Sequence, residues 1–166
     1  YYYHKGKKKF KQNLNSFFYP LDKIRNWNKL YGKNGFIQIQ LLIGNNENTD
    51  KTIYKILNFF NERKQYSYLN TLKEFGVGNS NFLSFPNSGL TLAMDMKMNE
   101  SLFEIYREFE ELIKDDDVKV YLTKDSLMSE KFFKKSYLEL DNFKEIKKKN
   151  DPFNLIKSDL SERLGI

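Results

Sequence analysis

A lysine, an aspartate and a serine follow one another where an apolar strand is predicted to end. The stretch "YLTKDS" (121–126) carries Lys124, Asp125 and Ser126 into a turn. A lysine ammonium in such a place can hold a phosphate, polarise a carbonyl or stabilise the anion of a reduced cofactor. In a chain with 28 Lys and Arg residues, however, an isolated lysine is more often solvated surface. Asp125 and Ser126 also have a structural interpretation, because either can N-cap a helix predicted to start near Leu127.

A second group of polar side chains alternates with apolar ones on predicted strands. Gln38 and Gln40 point to the same side of "GFIQIQLLI" (35–43). An amide donates and accepts hydrogen bonds at once, which suits ligands rich in hydroxyls. Other residues are predicted on the same face of the sheet, namely Thr91, Ala93, Asp95, Lys119 and Tyr121. The same alternation is typical of a solvated sheet face, so both interpretations stay open.

Lys73 has the same two interpretations as Lys124. It lies in "YSYLNTLKEFG" (66–76), close to the end of a predicted strand, and it is a candidate ligand for an anion or a hydroxyl-rich molecule. The solvated interpretation is again the commoner one for a lysine in a basic chain.

The composition excludes several kinds of chemistry. The chain has no cysteine, which excludes disulfides, zinc thiolate sites and thiol nucleophiles. Its one histidine, His4, lies in a basic terminal segment, so we expect neither a histidine metal site nor a catalytic triad. There is also no phosphate-binding glycine loop before a helix, no dinucleotide-binding pattern and no spacing typical of metal ligands.

The order of the predicted elements indicates the fold class. Strands are predicted from period-two alternation at 35–43, 90–96 and 118–122. The pattern of 66–76 fits either a strand or a helix; the glycines that follow closely and its Tyr, Thr and Phe residues favour a strand. Amphipathic helices are predicted at 51–64 and 100–116 from apolar residues spaced three and four apart. The order β-α-β, β-α-β predicts an α+β fold with a ferredoxin-like antiparallel sheet and both helices on one face.

We divide the chain into three parts. Residues 1–34 are a basic segment and the loop that leads into the first strand, 35–126 are the split βαβ sheet, and 127–166 are a C-terminal helical segment. One or two helices are predicted in 128–149. Asp151 and Pro152 are predicted to be the N-cap and first residue of a helix, and "SDLSERL" (158–164) is predicted to form a last short helix.

The charge distribution suggests a partner. The net charge is +6, concentrated in 4–11 and 144–149, and such runs attract phosphates or anionic lipid, although they are also typical of solvated surface. A non-catalytic basic module for RNA or anionic membrane is therefore an alternative function. The strands lack the exposed aromatics of an RNA-binding sheet, so we expect no nucleic-acid partner.

No apolar run approaches the ~20 residues of a membrane span.

Four colinear stretches carry a family resemblance. These are "FFYPLDKIRNWNKLYGKNGFIQIQ" (17–40), "LKEFGVGNSNFLSFPNSGLTLAMDM" (72–96), "VYLTKDSLMSEKFFKKSYLELDNF" (120–143) and "DPFNLIKSDLSERLGI" (151–166). Together they resemble the C-terminal, substrate-binding half of the decaprenylphosphoryl-ribose oxidase family, which are FAD-linked oxidases of the vanillyl-alcohol-oxidase type. The resemblance implies that the chain is a fragment, and that an N-terminal FAD-binding domain would precede it.

The resemblance implies an activity and partners for the full-length protein. Such an enzyme oxidises the 2-hydroxyl of a polyprenyl-phosphoryl ribose to a ketone, with the hydride going to FAD. A separate NAD(P)H-dependent short-chain reductase then completes the epimerisation to arabinose for cell-wall arabinan. A lipid substrate implies a cytoplasmic or peripherally membrane-associated protein. The basic run 4–11 is expected to assist binding to the membrane. The fragment by itself is expected to be inactive, and a related FAD-linked sugar or lactone oxidase is an alternative.

The resemblance also implies roles for single residues. Lys124 corresponds to the lysine beside the flavin and the substrate, and it is the predicted catalytic residue. Tyr121 and Lys124 are the predicted FAD contacts. The predicted substrate contacts are Gln38, Gln40, Lys73, Thr91 and Ala93. The sequence departs from the family where Leu90 stands in place of a common Trp and Leu127 in place of a common Arg, which leaves the sugar and the lipid open.

Overall fold

The computed structural model describes residues 11–166. Within this range the chain forms four strands: β1 (Phe36–Gly44), β2 (Ser67–Phe75), β3 (Gly89–Lys97) and β4 (Val118–Val120). The same range contains six α-helices: α1 (Leu14–Phe18), α2 (Thr49–Glu62), α3 (Leu102–Ile113), α4 (Glu130–Ser136), α5 (Leu140–Asn150) and α6 (Asp159–Leu164). Short 3-10 helices cover Pro20–Lys23, Trp27–Tyr31 and Leu122–Lys124.

The strands form one antiparallel sheet in the order β2-β3-β1-β4. The long central strands β1 and β3 are paired from Phe36 with Lys97 to Gly44 with Gly89. Each half of the motif places its helix between two strands, so the element order is β-α-β-β-α-β. The predicted α+β fold with an antiparallel sheet is confirmed, and all four predicted strands are present.

The core lies between the sheet and the helices α2 and α3. One side of β1 and β3 is apolar and buried, and it packs against the apolar stripes of the two helices. Phe109 of α3 is fully buried, with its ring centroid 4.9 Å from that of Phe60 and 5.6 Å from that of Tyr106. Burial of each such side chain contributes about 1.5–3 kcal/mol, so this contact layer is what holds the sheet against its helices.

The end of β4 differs from the prediction. The strand was predicted to reach Leu122, but it ends at Val120, and the next residues form the 3-10 turn Leu122–Lys124. Asp125 does not cap a helix that starts near Leu127. Its Oδ1 accepts hydrogen bonds from the backbone N–H groups of Leu127 and Met128 in a turn, and α4 begins later because Ser129 caps it through Phe132.

The C-terminal segment contains helices, but one boundary was predicted wrongly. The helices predicted in 128–149 are present: α4 lies within this range, and α5 extends one residue past its end. Asp151 does not start a helix. Its carboxylate accepts from the backbone N–H groups of Leu155 and Ile156 in a non-helical turn. The last short helix predicted at 158–164 is confirmed as α6, which starts after Ser158 with a capping box to Ser161.

Two further predictions concern charge and membranes. The basic run 4–11 and His4 lie outside the described residues, except for Lys11, whereas the run 144–149 lies on α5. Within residues 11–166, no helix has both the length and the apolar character needed to cross a bilayer.

Candidate functional site

The sheet face opposite the helices carries most of the predicted site residues. In the β1–β3 ladder, Gln40 is paired with Ala93 and Gln38 with Asp95. Residues paired in an antiparallel ladder point to the same side, and so do residues two apart on one strand. We call the resulting set the polar strip; it consists of Gln38, Gln40, Thr91, Ala93 and Asp95.

Hydrogen bonds hold the polar strip together. Gln40 Nε2 donates to Thr91 Oγ1 at 2.9 Å, and Gln38 Nε2 donates to Asp95 Oδ1 at 2.6 Å. Asp95 is fully buried, Thr91 is 1% exposed and Gln40 is 8% exposed. The interpretation of this face as plain solvated surface is therefore wrong for these residues. The strip is an ordered, partly covered layer with half-buried Gln38 and Ala93 at its surface.

An aromatic cluster closes one end of the polar strip. It is built from the 3-10 helix before β1, the first residue of β1 and β2, and its members are Trp27, Tyr31, Phe36 and Tyr68. Tyr31 stacks on Phe36 with ring centroids 4.4 Å apart and donates from Oη to Asp95 Oδ2 at 3.1 Å. Burial and the nearby Asp95 carboxylate raise the pKa of Tyr31 to about 12, so its hydroxyl keeps the proton that it donates.

A second aromatic cluster lies at the other end of the strip. The loop 76–88 folds back over the sheet and places Phe85 between Tyr121 and Phe75. The Phe85 ring stacks on that of Tyr121 with centroids 4.6 Å apart, and Phe85 is only 4% exposed. Tyr121, a predicted flavin contact, is therefore held by an aromatic side chain that the sequence analysis did not single out.

Lys124 lies beside the polar strip on the 3-10 turn that follows β4. The Tyr121 backbone N–H donates to the Gln40 carbonyl at 2.8 Å, and the Lys124 N–H donates to the Tyr121 carbonyl at 3.0 Å. These bonds tie the turn to the middle of β1. The Lys124 side chain is half-buried, and in the described part of the chain its ammonium has no hydrogen-bond or ion-pair partner. A partly desolvated cation is thus available to a ligand at this edge.

The turn is anchored from behind by the C-terminal helix α6. Arg163 Nη2 lies 2.8 Å from Asp125 Oδ2, and Arg163 Nη1 donates to the Met128 carbonyl. The Asp125 side chain is 1% exposed. The residue next to Lys124 is therefore held in place by an ion pair between its buried carboxylate and the partly exposed Arg163, as well as by two backbone N–H groups.

Lys73 is far from Lys124. It lies on the edge strand β2, paired with Thr91, and its side chain is exposed. The strand order puts β2 and β4 three strand spacings apart, or roughly 14 Å at about 4.8 Å per spacing. The structure therefore brings Gln38, Gln40, Thr91 and Ala93 together and places the two lysines on opposite sides of them.

Lys119, on the same face, has a structural role. Its Nζ donates to the Ser84 carbonyl at 3.2 Å and lies 5.0 Å from the centre of the Tyr137 ring. Burial lowers the pKa of the Lys119 ammonium. These contacts tether the loop 76–88 at the rim of a cleft of about 570 Å³ between that loop and the residues after α4.

Besides Phe85, the residues Asp95, Tyr31 and Arg163 of this site were missed as functional candidates. The sequence analysis predicted Asp95 on the polar face of the sheet but not among the substrate or cofactor contacts. A carboxylate between Met94 and Met96 in a strand is unusual, and that could have marked it as a candidate. Tyr31 and Arg163 carried no local signal, because their partners Asp95 and Asp125 are distant in the chain.

The described residues contain no group of three or more metal-ligating His, Cys, Asp or Glu side chains. What the site offers is the Lys124 ammonium, two amides and two aromatic clusters. Such a set can bind a hydroxyl-rich or anionic molecule and place a cation next to it.

Comparison with known proteins bears on the family resemblance. The chain is 31% identical over 155 residues to the decaprenylphosphoryl-β-D-ribose oxidase of Mycolicibacterium smegmatis (strain ATCC 700084 / mc(2)155), and the match covers 93% of this chain and the C-terminal 33% of that oxidase. The resemblance to the decaprenylphosphoryl-ribose oxidase family is confirmed. The chain spans about a third of the length of that oxidase.

A Streptomyces coelicolor protein, named "Uncharacterized protein in mprA 5'region", is 33% identical over 96 residues, which are 57% of this chain and 26% of that protein. No protein-family model matches the chain. The likeness to the oxidase family therefore rests on the long match, which includes the polar strip and the Lys124 turn because it covers 93% of the chain.

Proposed function

We propose that this chain is the substrate-binding part of an FAD-dependent oxidoreductase that oxidises the 2-hydroxyl of a polyprenyl-phosphoryl ribose to a ketone. The observation that carries the proposal is the half-buried Lys124, which has no partner among residues 11–166 and lies beside two hydrogen-bonded glutamines. It occurs in a chain that is 31% identical to a decaprenylphosphoryl-β-D-ribose oxidase. The reaction is the first half of an epimerisation of ribose to arabinose.

The polar strip supplies the binding chemistry. The sugar hydroxyls would meet the amides of Gln38 and Gln40, with Thr91 and Ala93 forming the floor between them. Ala93 is small, which leaves room for a ring to approach the sheet. Lys73 lies at the far edge of the strip, where an exposed ammonium can meet the phosphate of the substrate.

Lys124 and Tyr121 supply the contacts on the cofactor side. A bound flavin would supply the two-electron oxidation by accepting the hydride from the carbinol carbon. Lys124 would stabilise the negative charge that develops beside it, and its partial burial strengthens that interaction. Tyr121 is fixed by its stacking on Phe85, so the edge next to Lys124 is preformed.

The test uses the full-length protein with its flavin-binding part. Anaerobic addition of a ribosyl-phosphate lipid should bleach the visible flavin absorbance. In Lys124→Ala the flavin should still bind, but the bleaching rate should fall by roughly 10²–10³-fold, as when one preorganised electrostatic contact is removed from an active site. Lys51→Ala, a matched change of an exposed lysine on α2, should bleach at the wild-type rate.

Two results would refute the proposal. The oxidase function fails if no flavin copurifies with the full-length protein. The role of Lys124 fails if its alanine variant bleaches as fast as the Lys51 variant. Bleaching by simple sugars or lactones, but not by the lipid, would instead favour a related FAD-linked sugar or lactone oxidase.

We also propose that the full-length protein is cytoplasmic or peripherally membrane-associated, and that an NAD(P)H-dependent short-chain reductase consumes its ketone product. The basic run 4–11 is the proposed contact with anionic lipid. Liposome co-sedimentation should weaken when the lysines of this run are neutralised and when salt is raised. Unchanged sedimentation of the neutralised variant would exclude this contact.

A further inference from the structure

Asp95 is a buried carboxylate that the proposed reaction does not use. Both of its oxygens are occupied: Oδ1 accepts from Gln38 Nε2 at 2.6 Å and Oδ2 accepts from Tyr31 Oη at 3.1 Å. The Asp95 backbone N–H donates to Ser67 Oγ at 3.0 Å. In the part of the chain that the structure describes, no Lys or Arg pairs with this carboxylate.

This arrangement determines which way the Gln38 amide points. A carboxylate only accepts hydrogen bonds, so Gln38 can bond to Asp95 only through its NH₂ group. The carbonyl oxygen Oε1 of Gln38 is then directed away from Asp95. The bond between Gln40 and Thr91 imposes no such direction, because a threonine hydroxyl both donates and accepts.

The carbonyl oxygens of the two glutamines are left available to a ligand. Neither Gln38 Oε1 nor Gln40 Oε1 has a hydrogen-bond donor among residues 11–166. Among those same residues, Tyr106 Oη is the one fully buried side-chain polar atom without a partner, so the two glutamine oxygens are not sealed in the interior. An unoccupied acceptor at the surface of an ordered strip favours a ligand group that donates.

We propose that Asp95 is a positioning residue that fixes the Gln38 amide with its carbonyl oxygen outward, so that the polar strip selects a ligand hydroxyl as a hydrogen-bond donor. Tyr31 supports this role because its hydroxyl donates to the other carboxylate oxygen of Asp95. The inference rests on the proposed function, in which the strip is the wall against which the sugar binds.

The test compares ligands that differ only in their ability to donate. The full-length protein is titrated with a ribosyl-phosphate lipid and with analogues in which one ring hydroxyl at a time is replaced by fluorine, which accepts weakly and cannot donate. For the hydroxyl that meets Gln38, the fluorinated analogue should bind the wild type roughly 10–100-fold more weakly. In Asp95→Asn the amide of Gln38 can reverse, and this discrimination should shrink to near unity.

A double variant separates positioning from mere structural damage. In Asp95→Asn/Gln38→Glu the donor and acceptor exchange places: the introduced asparagine would donate to the new carboxylate, whose second oxygen faces outward. The total charge of the pair is unchanged, and the preference for a hydroxyl donor should return. The proposal is overturned if Asp95→Asn still discriminates between the hydroxyl ligand and its fluorinated analogue as the wild type does. It is also overturned if the double variant fails to restore that discrimination.

A spectroscopic readout keeps this inference distinct from the proposed function. The side-chain amide resonance of Gln38, assigned by its loss in Gln38→Glu, should shift in Asp95→Asn without any ligand. If the wild type binds no ribosyl lipid but this shift occurs, the proposed function fails while the positioning by Asp95 stands. An unshifted resonance overturns the positioning whatever the ligand is.

Discussion

Arg163 and Asp125 form an ion pair of 2.8 Å between the last helix and the turn that carries Lys124. The Asp125 side chain is almost fully buried, and its second oxygen accepts from the N–H groups of Leu127 and Met128. One carboxylate therefore connects α6 to the turn and defines the turn's own shape. A change far along the chain, at Arg163, should be felt at Lys124.

We expect Arg163→Ala to lower the free energy of unfolding by about 2–3 kcal/mol. The substitution leaves the buried Asp125 without its cation and the Met128 carbonyl without its donor. Asp125→Asn should cost less, because its side-chain oxygen still accepts from the two backbone N–H groups. Urea unfolding followed by circular dichroism measures the loss of stability in both variants.

Lys131→Ala, which breaks an exposed ion pair with Glu111, is the matched control and should not change the stability measurably. Equal effects of Arg163→Ala and Lys131→Ala would contradict the buried anchor.

Stability should fall in alkali through Tyr31. Burial and the Asp95 carboxylate raise the pKa of Tyr31 to about 12 in the fold, against about 10 in the unfolded chain. The unfolded state therefore loses its proton first as the pH rises. The contribution of the neutral hydroxyl is fully present below about pH 10 and is lost as the pH rises towards about 12. Urea unfolding at about pH 9 and about pH 11.5 should show a smaller decrease for Tyr31→Phe than for the wild type. Identical decreases would show that Tyr31 does not titrate with this shift.

Gly89, at the start of β3, should not tolerate a side chain. Its φ is +153°, and an added Cβ would lie 2.2 Å from the Ile43 carbonyl oxygen in the paired strand. We expect Gly89→Ala to cost about 2 kcal/mol or more, because backbone on both sides of the clash must move. Gly76→Ala is the control, since an added Cβ there meets no atom within 4 Å, and its effect should stay within about 0.5 kcal/mol. Chemical denaturation of the two variants compares them directly, and similar midpoints would contradict the prediction.

The two phenylalanines of α3 should differ sharply. Phe109 is fully buried among three aromatic rings, whereas Phe103 on the same helix is 54% exposed. Phe109→Ala should cost about 3–5 kcal/mol through lost burial and the cavity that it leaves. Phe103→Ala should cost well under about 1 kcal/mol. Thermal unfolding separates them; a comparable loss in both would mean that the core is not where the structure places it.

The elements of the sheet were predictable because their signals are local. Period-two alternation in "GFIQIQLLI" and "LTLAMDM" put one side of β1 and β3 in the core, and each observed boundary lies within one residue of its prediction. The ends of elements were less predictable where two good caps compete. Asp125 and Ser129 can both cap a helix, and Asp125 is taken by its turn and by Arg163, so the helix starts after Ser129.

The amino-acid sequence by itself determined the α+β class, the faces of the strands and the family resemblance, because periodicity and colinear motifs are properties of neighbouring residues. It also put Gln38, Gln40 and Lys124 among the candidates. Only the tertiary structure decided how the Gln38 amide is oriented, what anchors the Lys124 turn and what covers Tyr121. Each of those answers is a contact between residues 36 or more positions apart in the chain: Gln38 with Asp95, Asp125 with Arg163, and Phe85 with Tyr121. Such pairs meet only when strand pairing and helix docking bring them together, and no local pattern specifies them.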